Sequence, residues 1–148
     1  MKTLAKNEII HSVSALLGSL MFYFFTQNLL QSAVVLFFAL AIDVDHLVDY
    51  FIYLRRSNKT FSFSYFLAGK YFHAQNRIYV FFHAWEWVLI FLLFSHAGWG
   101  SIYGAIALGL TIHYSVDTLT NKVTVDTYVL SVRMLKKFRL DTIVLKRF

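Results

Sequence analysis

The sequence predicts an all-α integral membrane protein, a four-helix bundle that forms a single membrane-embedded domain over residues 1–148. Hydrophobic residues make up 58% of the chain and charged residues 15%, whereas soluble domains are about 45–50% apolar. Four apolar runs also approach the roughly 20 residues that a helix needs to cross a bilayer. The chain has no cysteine, which excludes disulfides and thiolate metal sites.

The predicted spans follow one another along the chain. They cover about residues 8–27, 29–54, 78–94 and 102–118. No small-residue cleavage site follows the first run, so we expect a retained span rather than a removed signal. Aromatic residues alternate with serine and lysine over residues 57–76, which predicts an interfacial segment between spans two and three. The tail, residues 123–148, places basic residues between apolar ones at helical spacing, which predicts a basic amphipathic helix on the membrane surface.

The distribution of basic residues predicts the orientation. With four spans, both termini and the loop at 55–77 lie on one side, and that side holds all 14 lysines and arginines. Basic residues stay cytoplasmic, so we expect both termini inside, in a bacterial-type inner or plasma membrane. In a chain this apolar, the net charge of +6 indicates contact with anionic lipid, and no nucleic-acid partner is expected. The pattern does not predict an oligomeric state.

Histidines and acids gather near the cytoplasmic end of every predicted span. Their positions, in chain order, are His11, Asp43, Asp45, His46, Asp49, His83, Glu86, His113 and Asp117. Spacings of three or four residues place His83 with Glu86, and His113 with Asp117, on shared helix faces. Asp43 lies at the edge of the arc formed by its neighbours. We therefore expect either local unwinding there or a division between direct ligands and supporting groups.

Carboxylates in this apolar setting need compensation. Five of them lie near the span ends, and no lysine or arginine lies within a span. Each would be costly if buried alone. Two divalent cations would neutralise four of the five, and imidazole with carboxylate ligands suits zinc, manganese or iron.

Simpler interpretations exist for single residues. An isolated histidine or aspartate in a membrane helix often only bonds to a neighbouring helix. Asp49 has Arg55 and Arg56 as possible ion-pair partners, and His73 and His96 fit interfacial and turn positions. Arg133 belongs to a basic surface that faces lipid or, alternatively, binds a substrate phosphate.

Two motifs resemble those of the YdjM-like membrane-bound metal-dependent hydrolases. The segment Asp43-Val-Asp-His46 resembles that family's P-D-x-D-H motif, and the segment His113-Tyr-Ser-Val-Asp-Thr-Leu-Thr120 resembles its S-H-x-x-x-D-x-L-T motif. His11 matches the family's N-terminal histidine, and the resemblance covers roughly residues 8–122. Ile42 and Ile112 replace the family's proline and serine, and Glu86 takes the place of the second histidine of its H-R-G-x-T-H-S motif.

The resemblance implies an integral-membrane hydrolase with a divalent metal centre. The family is distantly similar to zinc-dependent phospholipase C and P1-type nucleases, which cleave phosphoesters. We therefore predict two or more Zn²⁺ or Mn²⁺ ions, with Asp49 as a supporting group or general base. The predicted ligands are His11, Asp43, Asp45, His46, His83, Glu86, His113 and Asp117. The depth of the site suggests a membrane lipid, a phospholipid or polyprenyl phosphate, as the substrate.

Two other functions fit part of the pattern. Histidines from facing helices also ligate haem in electron carriers, but the neighbouring acids argue against that function. Intramembrane aspartates and histidines also mark the path of a divalent-cation or proton transporter. Such a path needs polar residues through the whole membrane, and the trans halves LIFLLF and AIALGL lack them.

Overall fold

The computed structural model describes residues 2–121 and 123–143. In these ranges every regular element is helical, and a single antiparallel bridge joins Arg77 to Arg139. The predicted all-α class is therefore confirmed. The helices are α1 (Lys2–Thr26), α2 (Leu29–Ala41), α3 (Asp45–Ser57), α4 (Phe63–Leu67), α5 (Lys70–Gln75), α6 (Trp85–His96), α7 (Ser101–Thr120), α8 (Leu130–Leu135) and α9 (Leu140–Ile143), with 3₁₀ turns at Ile42–Val44 and Val125–Tyr128.

Helix α7 is the centre of the packing, because it contacts α1, α2 and α6, and α1 also packs on α2. Small residues make the close approach possible. A Cβ atom added to Gly109 would lie 2.6 Å from the carbonyl oxygen of Val35 on α2. One added to Gly18 on α1 would lie within contact distance of the Ile112 side chain. The backbones of α2 and α7 are thus held in direct contact.

The structure revises two of the four predicted spans. The run at 29–54 is interrupted by the 3₁₀ turn at Ile42–Val44, which carries Asp43. The run at 78–94 becomes helical only at Trp85, because the preceding amides bond to aspartate side chains instead of forming a helix. Local unwinding near Asp43 was one of two expected arrangements, whereas the late start of α6 was not expected.

The lengths of the helices bear on how many of them can cross a membrane. Of the described residues, Ile9–Thr26 in α1 is the one stretch long and apolar enough to span a bilayer by itself. Helices α2 and α6 have 13 and 12 residues, fewer than the roughly 20 that a full crossing takes. The four-span arrangement and the cytoplasmic termini stay predictions.

The tail folds back on the segment before α6 and is not the single amphipathic helix predicted for 123–148. Lys137 and Phe138 both have positive φ angles, 53° and 57°, and so they separate α8 from α9. The Ile78 amide donates to the carbonyl oxygen of Phe138 at 3.0 Å. Leu140 and Ile78 belong to one small apolar core. Residues 144–148 of the predicted helix lie outside the described residues.

Candidate metal centre

The structure brings six of the eight predicted ligands together, from five parts of the fold. Helices α1, α3 and α7, the 3₁₀ turn after α2 and the segment before α6 all contribute. The ligating atoms form two groups, each with its atoms within 4.8 Å of one another. The six residues are His11, Asp43, His46, His83, His113 and Asp117.

The first group is buried between α1 and α7. His11 Nε2 lies 3.2 Å from Asp117 Oδ1, and His113 Nε2 lies 3.4 Å from Asp117 Oδ2. All three side chains are at most one-tenth exposed. The spacing of His113 and Asp117 along α7 places them on one face, as predicted.

The second group is more open. Asp43 Oδ1 lies 3.4 Å from His46 Nε2 and 3.2 Å from His83 Nε2. The Asp43 side chain is 41% exposed, whereas that of His83 is 3% exposed. This group therefore gives the cluster its accessible side.

The two groups share a boundary. Asp43 Oδ1 lies 3.5 Å from His113 Nε2, and Asp117 Oδ2 lies 3.9 Å from His83 Nε2. Each carboxylate thus faces imidazoles of both groups. These residues would hold one or two divalent cations.

Two of the imidazoles are oriented by hydrogen bonds from their other ring nitrogen. His113 Nδ1 lies 3.0 Å from the Ala39 carbonyl oxygen, which can only accept. His83 Nδ1 lies 3.2 Å from Asp45 Oδ2. In both rings Nδ1 is therefore the donor, and Nε2 faces the carboxylates of Asp43 and Asp117. Metal-ligating histidines are held in this way by a carbonyl or carboxylate.

A buried nitrogen without a partner supports a cation at this position. Among the described residues, His113 Nε2 is buried and has no hydrogen-bond partner. Its Nδ1 proton is committed to Ala39, and Nε2 faces Asp117 Oδ2 at 3.4 Å and Asp43 Oδ1 at 3.5 Å. In the neutral ring Nε2 would offer its lone pair to a divalent cation held between these groups. The donors present, imidazole nitrogens and carboxylate oxygens, suit zinc and manganese.

Asp45 supports the site and belongs to neither group, although it was predicted to be a ligand. Its Oδ2 accepts from the backbone amides of Phe82 at 2.7 Å and His83 at 3.2 Å. The same oxygen faces the His83 ring. Asp45 is 5% exposed, so it positions His83 from behind.

Asp49 was predicted to be a supporting group or a general base, and it belongs to neither group of clustered residues. Its carboxylate is fully buried and accepts from the amides of Tyr79, at 2.9 Å, and Val80, at 3.0 Å. The alternative ion pair with Arg56 is absent too, because that guanidinium bonds to the Tyr79 hydroxyl. Asp49 anchors the chain before α6.

Glu86 does not join the cluster, which corrects its prediction as a ligand. Because α6 begins at Trp85, His83 lies before the helix and shares no helical face with Glu86. The Glu86 carboxylate instead accepts from the amides of Leu130 at 3.0 Å and Ser131 at 2.8 Å. It holds the start of the tail helix α8.

Arg133 is completely buried, so a surface phosphate contact is excluded in this conformation. Its guanidinium donates to backbone carbonyl oxygens of the segment before α6. Burial lowers the pKa of Arg133 from its usual value, while the nearby carboxylates of Asp45, Glu86 and Asp49 raise it. It stays a cation, as arginines do in proteins.

Sequence reasoning missed two residues next to Asp117. Asn121 Nδ2 donates to Asp117 Oδ1 at 2.9 Å and to the Tyr128 hydroxyl at 3.2 Å. The four-residue spacing of Asp117 and Asn121 was a usable signal. Tyr128 could not be found in this way, since it reaches the site from the tail.

A cavity of about 1130 Å³ opens beside the cluster. Its wall includes five of the six clustered residues, and His73 also lines it without joining either group. Much of the remaining wall is apolar or aromatic. The described residues that line it include no lysine or arginine. The apolar and aromatic part of the wall comprises Val44, Leu47, Phe66, Leu67, Tyr71, Phe72, Ile78, Val80, Val123, Tyr128 and Leu140.

Comparisons of this chain with known protein families, with curated proteins and with solved structures find no match.

Proposed function

We propose that this protein is a membrane-embedded, metal-dependent hydrolase that cleaves a phosphoester of a lipid at the cytoplasmic face. The observation that carries the proposal is the convergence of four imidazole Nε2 atoms on two carboxylates. The resemblance of the 43–46 and 113–120 segments to the YdjM-like hydrolases supports the same reaction class.

In this proposal the four histidines, Asp43 and Asp117 hold one or two divalent cations. When bound, such cations supply Lewis acidity and activate water for attack on a phosphoester. Asp45 and the Ala39 carbonyl orient two of the histidines. The two carboxylates balance one dication, and a second dication would leave the cluster with a net positive charge.

The cavity supports an amphiphilic, anionic substrate. Its volume of about 1130 Å³ lies at the upper end of ligand pockets, which are about 300–1,000 Å³. The apolar wall suits acyl or prenyl chains. Because no lysine or arginine lines the described part of the cavity, the charge that attracts a phosphate would come from the cations.

The outer surface supports a membrane location. Large apolar side chains are exposed along α1, α2 and α6, among them Phe24, Phe37 and Leu93. Soluble monomers rarely expose contiguous apolar patches larger than a few hundred Å². If α1, α2, α6 and α7 cross the bilayer, the described basic residues fall on one side, which supports cytoplasmic termini.

Turnover of defined lipids tests the proposal. The full-length protein in detergent, loaded with Zn²⁺ or Mn²⁺, would be assayed against phospholipids and polyprenyl phosphates. We expect metal-dependent release of phosphate or headgroup that stops in His113→Ala and continues in His96→Ala, a histidine outside the cluster. Loaded protein that hydrolyses none of these lipids would contradict the proposal.

A further inference from the structure

We infer that Arg133 is a positioning residue of the metal centre, through which the C-terminal tail holds His83 in place. The inference rests on the proposed metal-dependent function. It concerns residues 79–83, which we name the strap, because this irregular segment carries His83 into the cluster.

Arg133 holds the carbonyl side of the strap. One guanidinium nitrogen, Nη1, donates to the carbonyl oxygens of Tyr79 at 2.7 Å and Val80 at 2.8 Å. The other, Nη2, donates to the carbonyl oxygen of His83 at 2.8 Å. A rigid, planar fork is suited to holding several acceptors at once. The backbone of a predicted ligand is thus bound directly by a residue fifty positions away.

Two aspartates hold the opposite, amide side. Asp49 accepts from the first two amides of the strap, and Asp45 accepts from its last two. The strap therefore has charged partners on both sides. These bonds replace the helical ladder that the apolar sequence would otherwise form.

The conformation of the strap needs this support. Val80 has a φ of 24°, and positive φ is strongly disfavoured for a β-branched residue. Such strain persists only where the surroundings over-determine it. Asp49 binds the Val80 amide and Arg133 binds its carbonyl oxygen, so removal of either partner would let the strap relax.

The charges point the same way. Arg133 is the buried cation beside Asp45 and Asp49, which are themselves buried. Removing one partner of a buried charged set leaves the others uncompensated. Glu86, by binding the first amides of α8, fixes the helix that carries Arg133. The tail is consequently a structural part of the metal centre.

The decisive experiment measures metal affinity and ligand geometry in the full-length protein in detergent. The variants are Arg133→Met, which removes the charge and the fork, and Arg133→Lys, which keeps only the charge. Thr124→Val is the control, because it removes a tail hydrogen bond to the Ile143 carbonyl oxygen and Thr124 has no side-chain hydrogen bond to the strap. Zn²⁺ affinity comes from competition with a chelator, and the visible spectrum of Co²⁺-loaded protein reports ligand geometry.

We expect Zn²⁺ affinity to fall roughly 10–100-fold in Arg133→Met, as is typical when a group that orients a metal ligand is lost. Arg133→Lys should lose affinity to a smaller degree and shift the Co²⁺ spectrum, whereas Thr124→Val should match the wild type. Hydrogen exchange in metal-free protein should accelerate at the strap amides in both Arg133 variants. If Arg133→Met does not fold, Arg133→Lys and its strap exchange decide the question.

Wild-type affinity and an unchanged Co²⁺ spectrum in the folded Arg133 variants would overturn the inference and leave the hydrolase proposal standing. The opposite result is a wild type that binds metal but hydrolyses no lipid, with weaker metal binding in the Arg133 variants. It would overturn the hydrolase proposal and leave the inference about Arg133 standing. A wild-type protein that binds no metal would overturn both.

Discussion

Replacing Asp45 tests whether this residue supports His83 or is itself a ligand. Asp45→Ala removes the acceptor of the buried His83 amide and of the partly exposed Phe82 amide, together with the partner of His83 Nδ1. The buried amide left unpaired should cost about 1–3 kcal/mol of unfolding free energy. Because the His83 imidazole would no longer be held in orientation, metal affinity should fall roughly 10–100-fold.

Asp45→Asn separates the two effects. Its amide oxygen can still accept from both backbone amides, so the stability loss should be smaller than in Asp45→Ala, while metal affinity still falls because the negative charge behind His83 is gone. Thermal unfolding in detergent and chelator competition measure the two quantities. Wild-type affinity in both variants would refute the positioning role. Loss of binding as complete as in His83→Ala would make Asp45 a direct ligand.

Three further predictions test other parts of the site and the fold. His113→Ala should lose bound metal. His73→Ala, which alters a cavity histidine outside both groups, should keep it. Equal metal content in the two variants would show that His113 is not a metal ligand. Glu86→Gln should keep full metal content and lose about 0.5–1.5 kcal/mol of stability, because one amide oxygen replaces a carboxylate that accepts from two backbone amides; depleted metal would show that Glu86 is a ligand. Gly109→Ala should destabilise the protein by about 1–3 kcal/mol through overpacking, since the new methyl group would collide with the Val35 carbonyl oxygen; an unchanged melting temperature would contradict the close contact of α2 and α7.

The helical class and the convergence of six residues followed from patterns within the sequence. The apolar runs predicted the helices, and the common depth of His11, His113 and Asp117 in their runs predicted that these residues meet. Depth is a property of each helix alone. The prediction that these residues meet therefore required no knowledge of how the connecting segments fold.

The roles of Asp45, Asp49 and Glu86 depended on contacts that no local pattern contains. Each carboxylate accepts from backbone amides 30 to 45 positions away. With no lysine or arginine inside the predicted spans, these acids were expected to need bound cations. Arg133, from the tail, supplies a positive charge beside them. The remaining carboxylates near the imidazoles are two, Asp43 and Asp117.

Residues 78–84 show why the boundary of α6 was misplaced. Their apolar and aromatic composition is compatible with a helix, and the run continues without a break into α6. Hydrogen bonds with the side chains of Asp45, Asp49 and Arg133 outweigh that local preference for a helix. A side chain that binds backbone groups at such distance leaves no periodic signal in the sequence.

Elemental analysis of protein purified without added metal tests the central claim most directly. The cluster of four imidazoles and two carboxylates predicts one or two equivalents of zinc or manganese per chain, lost in His113→Ala. Protein that carries no transition metal, takes up none on titration and is equally stable with and without chelator would show that the imidazoles and carboxylates only bond to one another.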